Sequence, residues 1–157
     1  MITVDFIRHA QSLANIAEEK KSLKGYWELL TMVDPPLSTV GVQQCLNSKL
    51  KYYNPDLIIV SCLQRSIQTA RLIWPSKKIV IAPHLRELGN YLQNKPLIQI
   101  YQNDVGNLHL FKIWLKKYLK KHVKIQKVVV ITHSLLMKKD LNLSIKPTNL
   151  AIVRQVW

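Results

Sequence analysis

Short, almost wholly apolar runs alternate along this chain with longer stretches whose apolar residues recur every three or four positions. The short runs are residues 2–7 (ITVDFI), 56–61 (DLIIVS), 78–82 (KIVIA), 127–132 (KVVVIT) and 150–157 (LAIVRQVW). Runs of this length without strict alternation are the pattern of strands buried on both faces of a parallel sheet. The last is expected at the sheet's edge. Between them lie helical patterns. Residues 13–21 form a weak one. A second starts at Ser38 or Thr39 as N-cap and carries Val42, Cys45, Leu46, Leu50 and Tyr53 on one face until Asn54-Pro55 stops it. A third, residues 62–74, presents Leu63, Ile67, Ala70 and Trp74. A fourth, residues 108–124, presents Leu108, Phe111, Leu115, Tyr118 and Leu119. A short piece follows at 135–141. Two stretches lack a period. Residues 22–36 read as an irregular excursion closed by two prolines, whose Tyr26 and Trp27 either wall a substrate pocket or pack within the loop. Residues 91–107 read as a lid or rim. The alternation predicts a single α/β domain over residues 1–157, a three-layer α/β/α sandwich on a mostly parallel central sheet.

Composition changes this picture little, except in charge. With 48% hydrophobic and 20% charged residues, the chain is of ordinary globular make-up. No apolar run approaches the roughly 20 residues that span a bilayer. Asp5 and Arg8 break the opening apolar run, so it does not read as a signal peptide. An intracellular, cytoplasmic location is expected. Cys45 and Cys62 each fall inside a regular element and are expected as buried free thiols. No Cys/His cluster has zinc spacing. The net charge of +14, however, favours anionic partners: phosphorylated substrates, nucleic acid or an anionic surface. Lysines 112, 116, 120 and 124 form a stripe along one helical pattern, with Lys117 and Lys121 beside it. It reads first as a solvated face, with a polyanion or membrane contact as the alternative. Only Arg8, Arg65, Arg71, Arg86 and Arg154 are arginines, so an arginine here marks a place that needs a planar fork.

Candidate chemistry gathers at the strand ends. Arg8-His9 follows the first run, Arg65 opens the helix after the second, Glu87 lies just past the third, and His133-Ser134 follows the fourth. In an open α/β sheet the ligand crevice lies beyond the carboxyl ends of the strands. One crevice would then hold a nucleophile candidate, two guanidinium groups, a second imidazole and a carboxylate. That inventory suits phosphoryl transfer through a covalent phosphohistidine. His84, His109 and His122 sit in no motif and read as structural or solvated.

These residues fall in blocks that resemble, in order, those of the histidine phosphatase superfamily, the phosphoglycerate mutase-like proteins. RHAQSLAN (8–15) resembles the family's Arg-His-Gly signature with its downstream Asn. DPPLSTVGVQQ (34–44) and SCLQRSIQTA (61–70) resemble its next two blocks, LRELGN (85–90) the segment holding the acid, and VVVITHS (128–134) the second-histidine strand. The resemblance implies a phosphoglycerate mutase-like fold and a metal-independent phosphomonoester hydrolase with no cofactor. It implies His9 as the group that is phosphorylated, and Arg8, Arg65 and His133 as ligands of the phosphoryl oxygens. It further implies Asn15 and Ser134 in substrate binding and Glu87 as the acid. His9 must be neutral to attack, which neighbouring guanidinium groups favour. The expected partner is a phosphorylated small molecule or a phosphoprotein. A phosphoglycerate-type mutase and an impaired member that binds phosphate or nucleic acid are the alternatives. Two departures stand out. Ala10 replaces the signature glycine, where its methyl is expected to crowd the phosphate or narrow the backbone angles. The chain is also short for the family, which leans towards a compact hydrolase.

Overall fold

The apolar runs pair with one another. In the computed structural model, which describes residues 1–89, 92–99 and 105–157, five strands form one sheet. They are β1 (Thr3–Arg8), β2 (Leu57–Val60), β3 (Ile79–Ile81), β4 (Lys127–Thr132) and β5 (Ile152–Val156), in the order β3-β2-β4-β1-β5. β1 and β2 flank β4 in parallel, β3 extends β2 in parallel, and β5 lies antiparallel on the outer side of β1. All four residues of β2 are buried, whereas β5 alternates between exposed and half-buried positions, as an edge strand does.

Among the described residues six α-helices cover the two faces: α1 (Leu13–Glu19), α2 (Leu23–Thr31), α3 (Thr39–Asn47), α4 (Gln64–Ile73), α5 (Leu108–Lys120) and α6 (Ser134–Asp140). Successive strand residues point to opposite faces, which divides the core in two. On one face Val4, Phe6, Ile59, Val128 and Val130 meet Phe111 and Leu115 of α5 and Met137 of α6. On the other, Ile7, Ile58, Val60, Val129 and Ile131 meet Cys45 of α3 and Ala70 and Ile73 of α4. Asp5 is a charged residue inside this apolar pattern, and its register partner on β5 is Arg154. The guanidinium donates to both carboxylate oxygens, at 2.7 and 2.8 Å, so a planar fork is what lets an acid sit in β1. Cys45 and Cys62 are buried and form no disulfide among the described residues. Among the described residues no helix is long and apolar enough to cross a membrane.

Four local expectations need correction. Residues 23–31 of the supposed excursion are helix α2. The Ser22 hydroxyl caps it by accepting from the Gly25 N–H, and Gly25 lets it lie tightly on α1: a Cβ there would stand 2.4 Å from the Ala17 carbonyl oxygen. A glycine that lowers intrinsic helix propensity is thus the residue the packing requires. The helix expected through Tyr53 stops at Asn47. Ser48 breaks it and caps a 3-10 turn, Lys49–Tyr52, from which Leu50 and Tyr53 reach the core. Leu46, expected on the buried face, is exposed. Finally, α5 ends at Lys120, so Lys124 lies beyond the helix, although the lysines retain their exposed side. Of the expected lid, Leu92–Asn94 form one 3-10 turn. Residues 90, 91 and 100–104 lie outside the described residues.

The first turn of α3 is locked against the loop that follows β1. The Gln11 N–H donates to Gln44 Oε1, and Ser38 donates its N–H and its hydroxyl to Gln11. At Gly41 an added Cβ would stand 1.9 Å from the Gln11 carbonyl oxygen, which is backbone and cannot swing aside. Gly41→Ala is expected to cost about 1–3 kcal/mol by overpacking, a fall of several degrees in Tm. Val40→Ala, one residue away but exposed, should change Tm far less. Thermal unfolding by circular dichroism checks both.

Candidate active site

Two adjacent parallel strands set the two imidazoles side by side. In the β1–β4 register Arg8 faces Thr132, and the His9 N–H continues the ladder by donating to the Thr132 carbonyl at 3.0 Å. His9 and His133 therefore leave the sheet together, with ring centroids 5.1 Å apart. A crevice of about 270 Å³ opens here, lined among others by Arg8, His9, Asn15, Arg65, Glu87 and Ser134. Six of the seven residues singled out in the sequence thus share one wall. His133, the seventh, is fully buried against the His9 ring rather than on the crevice surface.

The His9 ring has a defined tautomer. Its Nδ1 lies 2.6 Å from the Ala10 carbonyl oxygen. A carbonyl oxygen only accepts, so Nδ1 carries the hydrogen and Nε2 holds a lone pair when the ring is neutral. Burial is the main reason the ring's pKa falls well below its ordinary value, and the Arg65 and Arg8 charges push the same way against the Ala10 carbonyl. His133 behaves alike: burial first, then Arg65, His9 and Arg8, hold it well below the ordinary value. Its Nε2 lies 2.8 Å from the Ser61 hydroxyl, at the carboxyl end of β2, while its buried Nδ1 has no hydrogen-bond partner among the described residues.

The two guanidinium groups are held differently. Arg8 donates to the Pro147 carbonyl at 2.9 Å through one terminal nitrogen, and its buried Nε has no partner among the described residues. Arg65 lies in the first turn of α4 and is 4% exposed. Its two terminal nitrogens donate to the Gln93 carbonyl at 2.9 Å and to Asn94 Oδ1 at 3.0 Å, and Asp34 stands 4.0 Å away. Burial lowers Arg65 to about 10, opposed by Asp34, Glu87 and Glu18, which leaves it charged at neutral pH. Asp34, Gln93 and Asn94 were not singled out in the sequence. Asp34 was quoted only as the first residue of the 34–44 block, and it takes a left-handed backbone (φ 43°) while accepting from the Gln64 and Leu97 N–H groups.

Glu87 reaches the crevice from the loop after β3 and also holds the start of α6. Its carboxylate accepts from the N–H groups of Leu88 and Leu136 at 3.0 Å and of Leu135 at 3.1 Å. His133, the N-cap of α6, provides no side-chain cap, so Glu87 satisfies those helix donors from outside. Asn15 caps α1 reciprocally with Ser12, its Oδ1 accepting from the Ser12 N–H. That leaves its amide Nδ2 as the group free to donate. Asn149, just before β5, was missed. It donates to the His9 carbonyl at 3.0 Å from a loop without periodicity or motif.

Other expectations resolve here. The Ala10 methyl packs into the core, its φ is not positive, and its N–H donates to Thr69 Oγ1, so alanine fits without narrowing the chain's path. Tyr26 and Trp27 are exposed on α2 and do not wall this crevice; Glu18, Glu19 and Lys146 do. His84, His109 and His122 lie outside it.

Solved structures share the fold. A phosphoserine phosphatase from Entamoeba histolytica, in complex with 3-phosphoglyceric acid, superposes with a TM-score of 0.66 at 16% identity over 99% of this chain and 91% of that one. A mycobacterial glucosyl-3-phosphoglycerate phosphatase gives 0.64 at 17% over 98% and 89%. The protein histidine phosphatase SixA, complexed with tungstate, gives 0.61 at 17% over 98% and 86%. No curated protein shows significant sequence similarity to the chain. Residues 4–122 match the model of the histidine phosphatase superfamily (branch 1), and the chain belongs to that superfamily.

Proposed function

We propose that this protein is a phosphomonoester hydrolase that works through a phosphohistidine at His9. The observation that carries the proposal is the state of that ring: buried, neutral, Nδ1 donating to its own loop, and Nε2 left with its lone pair among two guanidinium groups. The structural neighbours described above are, by their names, phosphatases.

In the proposed reaction Nε2 of His9 attacks phosphorus, and the bond to the ester oxygen breaks as the N–P bond forms. Arg8, Arg65 and His133 offset charge on the three non-bridging oxygens, and Asn15 donates to one of them. The two guanidinium groups supply the positive charge and the neutral His133 ring a hydrogen bond, so the step calls for no metal. Glu87 gives a proton to the leaving oxygen. Its carboxylate then takes one from the water that breaks the N–P bond, which releases phosphate and restores neutral His9. The substrate is a phosphorylated small molecule or phosphoprotein.

Three outcomes follow. His9→Ala is expected to lower hydrolysis of an aryl phosphate more than about 10³-fold, in chelator as without it; activity retained in that variant refutes the mechanism. Both active-site rings should stay neutral as the pH falls through 6.5, the ordinary histidine value, and nitrogen NMR of labelled histidines reads this directly. Protonation of His9 at or above that pH contradicts the scheme. Glu87→Gln should slow hydrolysis of an alkyl phosphate by roughly 10²–10⁴-fold. It should slow a nitrophenyl phosphate much less, because that leaving group needs no proton. Equal losses on both substrates would assign Glu87 to capping α6 alone.

A further inference from the structure

Eight exposed lysines gather at the end of the molecule opposite the crevice. The crevice lies at the carboxyl ends of the parallel strands, so Ile2, Asp56, Lys78 and Gln126 mark the other end. α5 finishes there, with Lys116, Lys117, Lys120, Lys121 and Lys124 all exposed. Lys77, Lys78 and Lys127 add to the same end and are also exposed. The acid among them is Asp56, whose carboxylate is engaged by the N–H groups of Gln126 and Lys127 at 2.9 and 2.8 Å. Glu18, Glu19 and Glu87 stand instead at the crevice.

Between these lysines lies an apolar groove of about 490 Å³. Ile2, Leu119, Val123, Ile125 and Trp157 form it, with Lys116 and Lys120 on its rim. Val123 stands clear of the fold, 87% exposed. A merely solvated lysine face has no use for exposed valine and a half-buried tryptophan in its midst. Nucleic acid would engage the lysines through phosphates, but Ile2, Leu119, Val123 and Ile125 offer its bases no stacking surface, and the single ring lining the groove, Trp157, is half-buried. A lipid headgroup layer uses both features. Its anionic surface attracts the lysines, whose stems lie along apolar surface while the ammonium groups stay wet, and its acyl boundary takes the aliphatic side chains and the indole.

We propose that this lysine-rimmed groove docks the protein reversibly on an anionic lipid surface, with the crevice facing away into solvent. The proposal does not depend on the catalytic reading. Co-sedimentation with vesicles tests it, comparing phosphatidylcholine alone with phosphatidylcholine containing phosphatidylserine. Binding is expected only to the mixed vesicles and should weaken with added salt. Each lysine near the surface is worth roughly fivefold in partitioning, so Lys116→Glu with Lys120→Glu should weaken binding at least about 25-fold. Val123→Asp should weaken it at low salt too. Circular dichroism confirms that each variant folds, and Lys116→Gln with Val123→Ser serve if the first set does not. No binding to mixed vesicles, equal binding to neutral ones, or indifference to Val123→Asp each overturns the proposal. Oligonucleotide binding lost in the lysine variants, without vesicle binding, overturns it in favour of nucleic acid.

Discussion

The parallel pairing of β1 with β4, from Thr3 opposite Lys127 to Arg8 opposite Thr132, is the constraint on which the site rests. It brings His9 and His133 off the sheet at the same height and fixes their rings 5.1 Å apart. A slip of one residue would turn each strand's side chains to the opposite face and separate the imidazoles. The second pairing, β2 with β4, carries Ser61 to the same level, where its hydroxyl meets His133. The apolar residues of the three strands hold that register because both faces of the sheet are covered.

Around this base, buried polar groups are held mostly by other buried polar groups. Thr69 accepts from the Ala10 N–H and donates to the Arg65 carbonyl, so it joins the His9 loop to α4. Gln68 accepts from the Leu37 N–H, and Gln44 from the Gln11 N–H. An unpaired buried donor or acceptor costs about 1–3 kcal/mol, which explains why this loop is fastened at so many points. Several residues of the motif-like blocks therefore serve the backbone around the crevice rather than the crevice itself. Gly41 belongs with them: it makes room for the Gln11 carbonyl.

Electrostatics then acts on a site that is already built. Burial weakens the proton affinity of both imidazoles, and the guanidinium groups reinforce it. Asp34, Glu18 and Glu87 keep Arg65 charged within the protein interior. The crevice of a strongly basic chain is thus mixed in charge, and much of the excess lysine sits at the far end of the sheet. Net charge alone could not reveal that division.

Much of the architecture was legible in the chain itself. β4 matches its apolar run residue for residue, and the opening and closing runs became β1 and β5, which pair with each other on one side of β4. The strand-end positions of Arg8, His9, Arg65, Glu87 and His133 predicted a shared crevice, because strand direction alone sends those residues to one end of a parallel sheet; all but the buried His133 line it. α2 was hidden, because its glycine makes sense only against α1. The break at Ser48 was hidden for a similar reason: the apolar spacing runs on through it, and a local cap ends the helix. Asp34, Asn94 and Asn149 carry no signal beyond turn composition, since each acts on a partner at least 28 residues away in the chain. The sequence by itself determined which residues face the carboxyl ends of the strands, for periodicity is a local property. Tertiary structure alone decided the His9 tautomer, the burial of His133 and the double duty of Glu87, because each depends on the distance to a group from another element.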